Sequence, residues 1–216
     1  MEINKLYNCD CLDLMKQMPD NFVDLIVTDP PYGINKDFES DSLKEKELTD
    51  LWIKVFKESY RILKDNKSLL VEVPKNKNFY WQCFNDFVYE YSLVLRTTNA
   101  MRKCKVGYND FSLCLWFSKN GAKVTKRYKD CISVNFENNI KEFRHPSPKN
   151  ISHYRKLIEM FSNENDLIAD FFMGSGTTAV ACIKEKRNWI GSEISKEYCE
   201  IAQKRIDIEQ SKLTLF

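Results

Sequence analysis

A carboxylate, two prolines and an aromatic ring stand together in the segment Asp29-Pro30-Pro31-Tyr32. The segment directly follows Val23 to Thr28, a short apolar run rich in β-branched residues that is typical of a buried parallel strand. Ligands of open α/β sheets bind beyond the carboxyl ends of the strands. We therefore expect Asp29 and its neighbours to line a ligand site.

This segment offers two fixed hydrogen-bond acceptors to a planar amino group. The lone pair of an exocyclic base nitrogen is delocalised into the ring, so the amine becomes a nucleophile only as its geometry approaches tetrahedral. The carboxylate of Asp29 and the carbonyl group of Pro30, held by stiff prolines, can each accept one N–H and favour that geometry. A base must leave the duplex to reach them, and the ring of Tyr32 offers a stacking surface. An ordinary proline turn after a strand is the alternative interpretation.

A glycine-rich turn, Asp170 to Ala179, stands where a strand pattern passes into a helix pattern. Glycines at such a turn let the backbone approach a ligand, and the helix N-terminus offers unpaired N–H groups. Glu193 ends the next strand and can accept hydrogen bonds from ribose hydroxyls, which suits an adenosine-containing cofactor. The pattern fits both a dinucleotide and S-adenosylmethionine. Only about 40 residues follow Gly174, which would truncate a hydride-transfer domain. Tight packing of the turn without a ligand also stays open.

Strand and helix patterns alternate along most of the chain, which predicts one α/β domain with a mostly parallel sheet. Apolar residues at helical spacing predict a helix over 43–63, and a strand follows at 67–73. Phe111 to Ser118, followed by Asn120-Gly121 and a short apolar run, predicts an antiparallel hairpin because Asn-Gly favours the φ angles of a type I′ turn. The remaining predictions are helix 151–161, strand 167–172, helix 177–186, strand 188–193 and helix 195–208.

Composition excludes some classes of protein. The 216 residues are 43% hydrophobic and 13% aromatic, enough for a packed core, and no apolar run is long enough to span a membrane. We expect a single domain over residues 1–216 that acts in the cytoplasm. The eight cysteines include no C-x-x-C pair and only two histidines accompany them, so neither a metal site nor a disulfide framework is expected.

Charge is unevenly distributed along this nearly neutral chain. Residues 1–50 carry a net charge of −7, whereas residues 96–129 carry +8. The basic residues fall in a segment, 96–144, that is predicted to be β-rich. Such a segment suits either the binding of a polyanion or a solvated surface whose lysines discourage edge pairing.

Three motifs resemble, in order, those of the β-class S-adenosylmethionine-dependent DNA amino-methyltransferases, a family that includes restriction-modification enzymes. DLIVTDPPYGI resembles the catalytic strand and loop, DFFMGSGTT the cofactor loop, and GSEISKEYCEIAQKRI the helix after it. Tyr60 to Lys64 and His145 to Lys149 are similar to two shorter motifs of the family. The resemblance covers nearly the whole chain and implies a Rossmann-like sheet in which the catalytic motif precedes the cofactor loop. Phe171, Ser147 and Asn150 depart from the family pattern.

The resemblance also implies roles for individual residues. The catalytic segment would be Asp29, Pro30, Pro31 and Tyr32. S-adenosylmethionine would be held by Asp10, Cys11, Asp29, His145, Ser147, Lys149, Asp170, Phe172, Gly174, Ser175, Gly176, Thr177 and Glu193. An Asp at the first catalytic position resembles enzymes that methylate N6 of adenine, with N4 of cytosine as the alternative.

The basic segment is then interpreted as a surface for double-stranded DNA with a reduced target-recognition region. Phosphate contacts are expected from Arg96, Arg102, Lys103, Lys105, Lys123, Lys126 and Arg127. Phosphate contacts position a duplex without reading its sequence, so a homodimer or a separate specificity subunit is a further expectation. The tail Gln210 to Phe216 resembles the Q-x-x-L-x-L-F peptide with which bacterial DNA enzymes dock on the sliding clamp. An RNA substrate, or a non-catalytic subunit of a methyltransferase complex, stays as an alternative.

Overall fold

A computed structural model describes residues 1–33, 43–99, 102–105, 107–135 and 149–213. Its α-helices are α1 (Cys11–Met15), α2 (Glu45–Ile62), α3 (Ile151–Phe161), α4 (Thr177–Lys184) and α5 (Lys196–Leu213), and a 3₁₀ helix covers Phe79–Phe84. Its strands are β1 (Lys5–Tyr7), β2 (Val23–Thr28), β3 (Leu63–Val73), β4 (Val88–Thr97), β5 (Arg102–Cys104), β6 (Gly107–Asn109), β7 (Phe111–Ser118), β8 (Cys131–Val134), β9 (Leu167–Asp170) and β10 (Asn188–Ser192).

Eight strands form one mixed sheet in the order β1-β10-β9-β2-β3-β7-β4-β8. The five strands from β1 to β3 in this order pair in parallel, and β7 then pairs antiparallel with both β3 and β4. The remaining strands, β5 and β6, form a separate antiparallel hairpin. The parallel strands all end at one edge of the sheet, which we call the carboxyl edge.

Helices cover both faces of the sheet, which explains why every residue of β2 is buried. One apolar cluster lies beneath α1, α2 and the 3₁₀ helix and includes Ile26, Trp52 and Phe56. The other lies beneath α3, α4 and α5 and includes Val27 and Ile158. Successive β2 side chains thus point into opposite clusters, as the alternation of a strand requires. The Rossmann-like fold expected from the sequence is confirmed.

The predicted elements around the two motifs are confirmed with small differences in length. Strand β2 and helix α3 have the predicted bounds. Helix α5 begins one residue later than predicted and continues to Leu213, while strand β9 stops at Asp170 instead of 172. Strand β9 is shorter because the chain turns at Phe171 into the glycine-rich loop.

The hairpin predicted from Asn120-Gly121 is wrong. Both residues do adopt positive φ, 61° and 81°, but residues 121–124 form no strand. Strand β7 is hydrogen-bonded on one side to β3 and on the other to β4, so no edge of β7 is left for a following strand. Its antiparallel partners come from earlier in the chain.

Among the described residues, no helix is long and apolar enough to cross a membrane.

Candidate active site

Acidic side chains from neighbouring strands meet at the carboxyl edge. Asp29 follows β2, Glu72 lies next to the last residue of β3, Asp170 ends β9, and Glu193 follows β10. Because these strands are parallel and adjacent, their ends converge although the residues lie far apart in the sequence. This convergence defines the candidate site.

Lys149 connects Asp29 with Glu72. Its Nζ lies 2.7 Å from Oδ2 of Asp29 and 2.9 Å from Oε2 of Glu72. The hydroxyl of Tyr154, on α3, donates a 2.9 Å hydrogen bond to Oε1 of Glu72. The hydroxyl of Tyr32 donates to Oδ1 of Asp29. Lys149 is therefore in contact with the carboxylate of Asp29, a contact that its expected role as a cofactor ligand did not include.

Burial and charge act in opposite directions on the three ionisable groups. Burial raises the pKa of Asp29 above its usual value, and the charge of Lys149 offsets only part of the increase. Burial opposes ionisation of Glu72 too, yet Lys149 together with hydrogen bonds from Ser112 and Tyr154 holds its pKa below the usual value. Burial also disfavours the Lys149 ammonium, but Asp29 and Glu72 raise its pKa. The ammonium group of Lys149 therefore lies between two carboxyl groups whose pKa values are shifted in opposite directions.

The backbone after Asp29 is held by side chains from other elements. The indole Nε1 of the fully buried Trp52 donates a 3.1 Å hydrogen bond to the carbonyl oxygen of Pro31. Lys77 donates to the carbonyl oxygens of Tyr32 at 2.9 Å and Gly33 at 3.2 Å. The backbone from Pro31 to Gly33 thus has a fixed path, which preorganised hydrogen-bond acceptors beside it would require.

Asp170 connects the end of β2 with the glycine-rich loop. Its buried carboxylate accepts hydrogen bonds from the hydroxyls of Thr28 at 2.8 Å and Thr178 at 2.5 Å, and from the backbone N–H of Phe172 at 3.1 Å. Burial raises the pKa of Asp170 to about 6, although these hydrogen bonds oppose the increase. Its carboxylate therefore holds Thr28 and the glycine-rich loop together through hydrogen bonds.

Glu193 is oriented by backbone donors on both of its oxygens. Gly174 N–H donates to Oε2 at 2.8 Å, and Ser195 N–H donates to Oε1 at 2.9 Å. Burial raises the pKa of Glu193, against the effect of these donors. Asp10 and Cys11 lie nearby, after β1, where the carboxylate of Asp10 accepts from the N–H of Leu12 at 2.8 Å and caps α1.

The turn at the glycines depends on two residues of α5 to which the sequence reasoning assigned no role. Gly176 has φ of +81°, and an added Cβ would lie 3.0 Å from the Cβ of Ala202. Arg205 is 5% exposed and donates to the carbonyl oxygen of Ser175 at 2.5 Å and to its hydroxyl at 2.7 Å. Ala202 and Arg205 both fall in the motif GSEISKEYCEIAQKRI, which was the available signal.

The residues expected to contact phosphates lie at two opposite edges of the sheet. Arg96 is near the end of β4, and Lys103 and Lys105 lie on or beside the β5–β6 hairpin that connects β4 with β7 at the carboxyl edge. Lys123, Lys126 and Arg127 follow the end of β7. Because β7 runs antiparallel to β3, these three lie at the opposite edge, where Lys126 pairs with Glu159 near the end of α3.

Arg96 itself pairs with Asp110 at 2.8 Å. The side chain of Arg102, all of His145 and Ser147, and the end of the proposed clamp peptide, 214–216, lie outside the described residues. Within the described part of the chain, no group of three or more histidine, cysteine, aspartate or glutamate side chains could hold a metal ion.

Comparison with known proteins assigns the family. A family model described as DNA methylase, for the enzymes that modify N6 or N4 amino groups, matches residues 23–204, which include both motifs of the candidate site. The chain belongs to this family. The resemblance of the methylase to β-class DNA amino-methyltransferases is thereby confirmed.

Individual relatives of the methylase differ in the base that their names specify. It is 26% identical to the DNA adenine methyltransferase YhdJ of Escherichia coli over 96% of this chain and 84% of that protein. A solved structure of M1.HpyAVI with S-adenosylmethionine is 26% identical, with a TM-score of 0.72, over 94% of this chain and 98% of that one. The cytosine-N4-specific PvuII DNA methyltransferase has the same fold, with a TM-score of 0.75 at 18% identity over 97% of this chain and 92% of that one.

Proposed function

We propose that this methylase transfers a methyl group from S-adenosylmethionine to N6 of an adenine that is flipped out of double-stranded DNA. The observation that carries the proposal is the joint placement of Asp29 and the glycine-rich loop at the carboxyl edge, connected through Thr28 and Asp170. An acceptor for an amino group and a turn suited to an adenosine-containing cofactor are thus parts of one site.

The residues at the loop fit S-adenosylmethionine. The carboxylate of Glu193, fixed by Gly174 and Ser195, presents an acceptor of the kind that the two hydroxyls of a ribose need. Phe172 to Thr177 would surround the methionine end, and Asp10 and Cys11 would lie beside the adenine ring. When bound, this cofactor supplies an electrophilic methyl group.

The protein's own groups would then orient the base. The carboxylate of Asp29 would accept one hydrogen of the amino group and the carbonyl group of Pro30 the other, so the nitrogen approaches tetrahedral geometry and its lone pair is withdrawn from the π system of the ring. In the structure, the hydroxyl of Tyr32 donates a hydrogen bond to Asp29. When a base binds, the ring of Tyr32 would lie against it, and this hydrogen bond would either persist or be replaced by the one from the amino group. The transfer that we propose is direct, from the cofactor to the amino nitrogen, and uses neither a metal ion nor a covalent enzyme intermediate.

Adenine is proposed as the base because an Asp at position 29 resembles adenine enzymes, and because one relative is named an adenine methyltransferase. Cytosine N4 is the second candidate, because PvuII methyltransferase shares the fold. Incubation of the protein with isotope-labelled S-adenosylmethionine and separate pools of double-stranded DNA and RNA, followed by identification of the modified nucleoside, tests the proposal. N6-methyladenine in DNA supports it, whereas N4-methylcytosine, modified RNA or an unmodified pool contradicts it.

The DNA surface that we propose includes the carboxyl-edge side of the basic segment. Lys103 and Lys105 are exposed there, and Tyr108 on the same hairpin is 64% exposed. Lys123, Lys126 and Arg127 are on the far edge of the sheet, so a duplex centred on Asp29 would reach them only by extending around the domain. We retain the carboxyl-edge residues as the proposed phosphate contacts.

Three proposals concern assembly and location. A homodimer or a separate specificity subunit would supply the sequence readout that a small recognition region lacks.

The tail from Gln210 is proposed to dock on a sliding clamp, and deletion of Leu215 and Phe216 should abolish clamp binding. Clamp binding that persists after the deletion would refute this role. We also propose that the reaction takes place in the cytoplasm.

A further inference from the structure

Glu72 is a buried acidic residue next to the end of the strand beside β2. Its side chain is 3% exposed, compared with 26% for Asp29 and 25% for Lys149. A carboxylate so deeply buried costs free energy unless it is paired and hydrogen-bonded. Neither the catalytic motif nor the cofactor loop contains it, so its presence calls for a separate explanation.

Three described residues bind the carboxylate of Glu72 through an ion pair or a hydrogen bond. Oε2 accepts from Lys149 at 2.9 Å, Oε1 accepts from Tyr154 at 2.9 Å, and Ser112 of β7 also donates to the carboxylate. The same Lys149 Nζ lies 2.7 Å from Asp29. Glu72 thus binds the same ammonium group that pairs with Asp29, and the two carboxylates compete for the charge of Lys149.

We propose that Glu72 is a positioning residue that retains Lys149 and thereby leaves the Asp29 carboxylate available to accept the amino group of the base. Without Glu72, Lys149 would be a counter-ion for Asp29 alone and would draw the carboxylate into a simple ion pair. With Glu72, Lys149 stays anchored when Asp29 exchanges one of its contacts for the base. The inference rests on the proposed function, in which Asp29 accepts that hydrogen bond.

The arrangement has a consequence for the ionisation of Asp29. The groups that face it are Tyr32 on its own loop, Glu72 on β3, Cys114 on β7, Lys149 and Tyr154 at the start of α3, and Asp170 on β9. Lys149 is the cation among these groups, and Glu72 shares it. Because Glu72 has the larger set of donors, we expect a proton added to the pair to bind Asp29 first.

The substitution Glu72→Gln tests the inference because it removes the charge and keeps the shape. Asp29 must be ionised to accept the amino hydrogen, so methylation rises with pH through the pKa of Asp29. Loss of the Glu72 charge lowers that pKa, and the acid limb of the kcat profile should move to lower pH by about one unit. An acid limb at the wild-type position, or one at higher pH, would overturn the inference.

A matched control separates this effect from a general loss of stability. Asp24, on β2, is also a largely buried carboxylate, and it pairs with Lys64 at 2.9 Å and with Lys67 at 3.3 Å. It lies near the opposite end of the strand from Asp29. Asp24→Asn should lower the melting temperature, as loss of a buried pair does, and leave the acid limb unmoved. If Asp24→Asn moved the acid limb as far as Glu72→Gln does, the shift would reflect a general structural effect, and the inference would be overturned.

A second measurement needs neither the variant nor the cofactor. The side-chain carboxyl carbons of Asp29 and Glu72 can be followed by ¹³C NMR in the wild-type protein as the pH is lowered. We expect Asp29 to take up its proton at higher pH than Glu72, and the reverse order would refute the inference even if Glu72→Gln fails to fold. A wild-type protein that shows this order but methylates no substrate would instead refute the proposed function alone.

Discussion

The hydroxyl of Thr28 donates a 2.8 Å hydrogen bond to the carboxylate of Asp170, 142 residues further along the chain. Thr28 is the residue before Asp29, the proposed acceptor of the amino group, and Asp170 precedes the glycine-rich loop. One buried hydrogen bond therefore connects the segment that contains Asp29 with the proposed cofactor site.

Replacement of Thr28 by Val should weaken this connection. The substitution keeps the shape but removes one donor from the buried Asp170, which costs about 1–3 kcal/mol in the free energy of unfolding. Urea denaturation measures the loss. Thr49→Val, which removes a hydroxyl bonded only to a carbonyl of its own helix, is the control and should cost less. Equal effects of the two substitutions would contradict the role of Thr28.

Gly176 should not tolerate a side chain. It has φ of +81°, where an L-residue is strained by about 1–2 kcal/mol, and an added Cβ would meet the Cβ of Ala202 at 3.0 Å. Gly121 has the same φ but has no atom within 4 Å of an added Cβ. We expect Gly176→Ala to destabilise the protein more than Gly121→Ala and to weaken cofactor binding. Equal denaturation midpoints for the two variants would show that the positive φ, and not the contact with Ala202, determines the loss of stability.

Arg205 should act on the cofactor through Ser175. Arg205→Met removes the donor to the carbonyl and hydroxyl of Ser175, so the loop loses its support from α5. We expect the Kd for S-adenosylmethionine to rise about tenfold, equivalent to about 1.4 kcal/mol, with a smaller change in kcat. Calorimetry measures the affinity. Arg155→Met, which breaks a pair with Glu185 on a partly exposed side chain, should leave Kd unchanged.

Charge reversal at the two edges should affect DNA binding unequally. Lys105 lies at the carboxyl edge and Lys123 at the opposite edge, and both are exposed. Lys105→Glu should lower affinity for duplex DNA and reduce the slope of log K against log salt by about 1. Lys123→Glu is the control. A larger loss from Lys123→Glu would place the duplex on the other side of the sheet.

The sequence was sufficient for the elements that combine strong periodicity with a motif. The apolar run before Asp29 located β2, every residue of which is buried, and the helix pattern over residues 151–161 located α3, which buries one face. Strand β4 was missed because its burial pattern is weak, with most side chains only partly covered. Strand β1, with three residues, is too short to give a pattern.

The contacts of the site were less accessible to sequence reasoning than its motifs. Glu72 and Lys149 are 77 residues apart, and only the order of β2, β3 and α3 in space brings them together. The separation of Lys103 from Lys123 follows from the antiparallel direction of β7, which the hairpin prediction had assigned to a different partner. Such long-range pairings depend on sheet order, which local patterns do not specify.

The most direct test of the account is the effect of Asp29→Ala on methylation and on cofactor affinity, measured on the same preparation. The substitution removes one of the two acceptors for the amino group, and loss of one such preorganised group typically lowers kcat about 10²–10³-fold. We predict at least this loss of methylated base in duplex DNA, with the Kd for S-adenosylmethionine within about threefold of wild type, less than 1 kcal/mol. Full turnover by the variant would contradict the central claim that Asp29 prepares the amine for transfer.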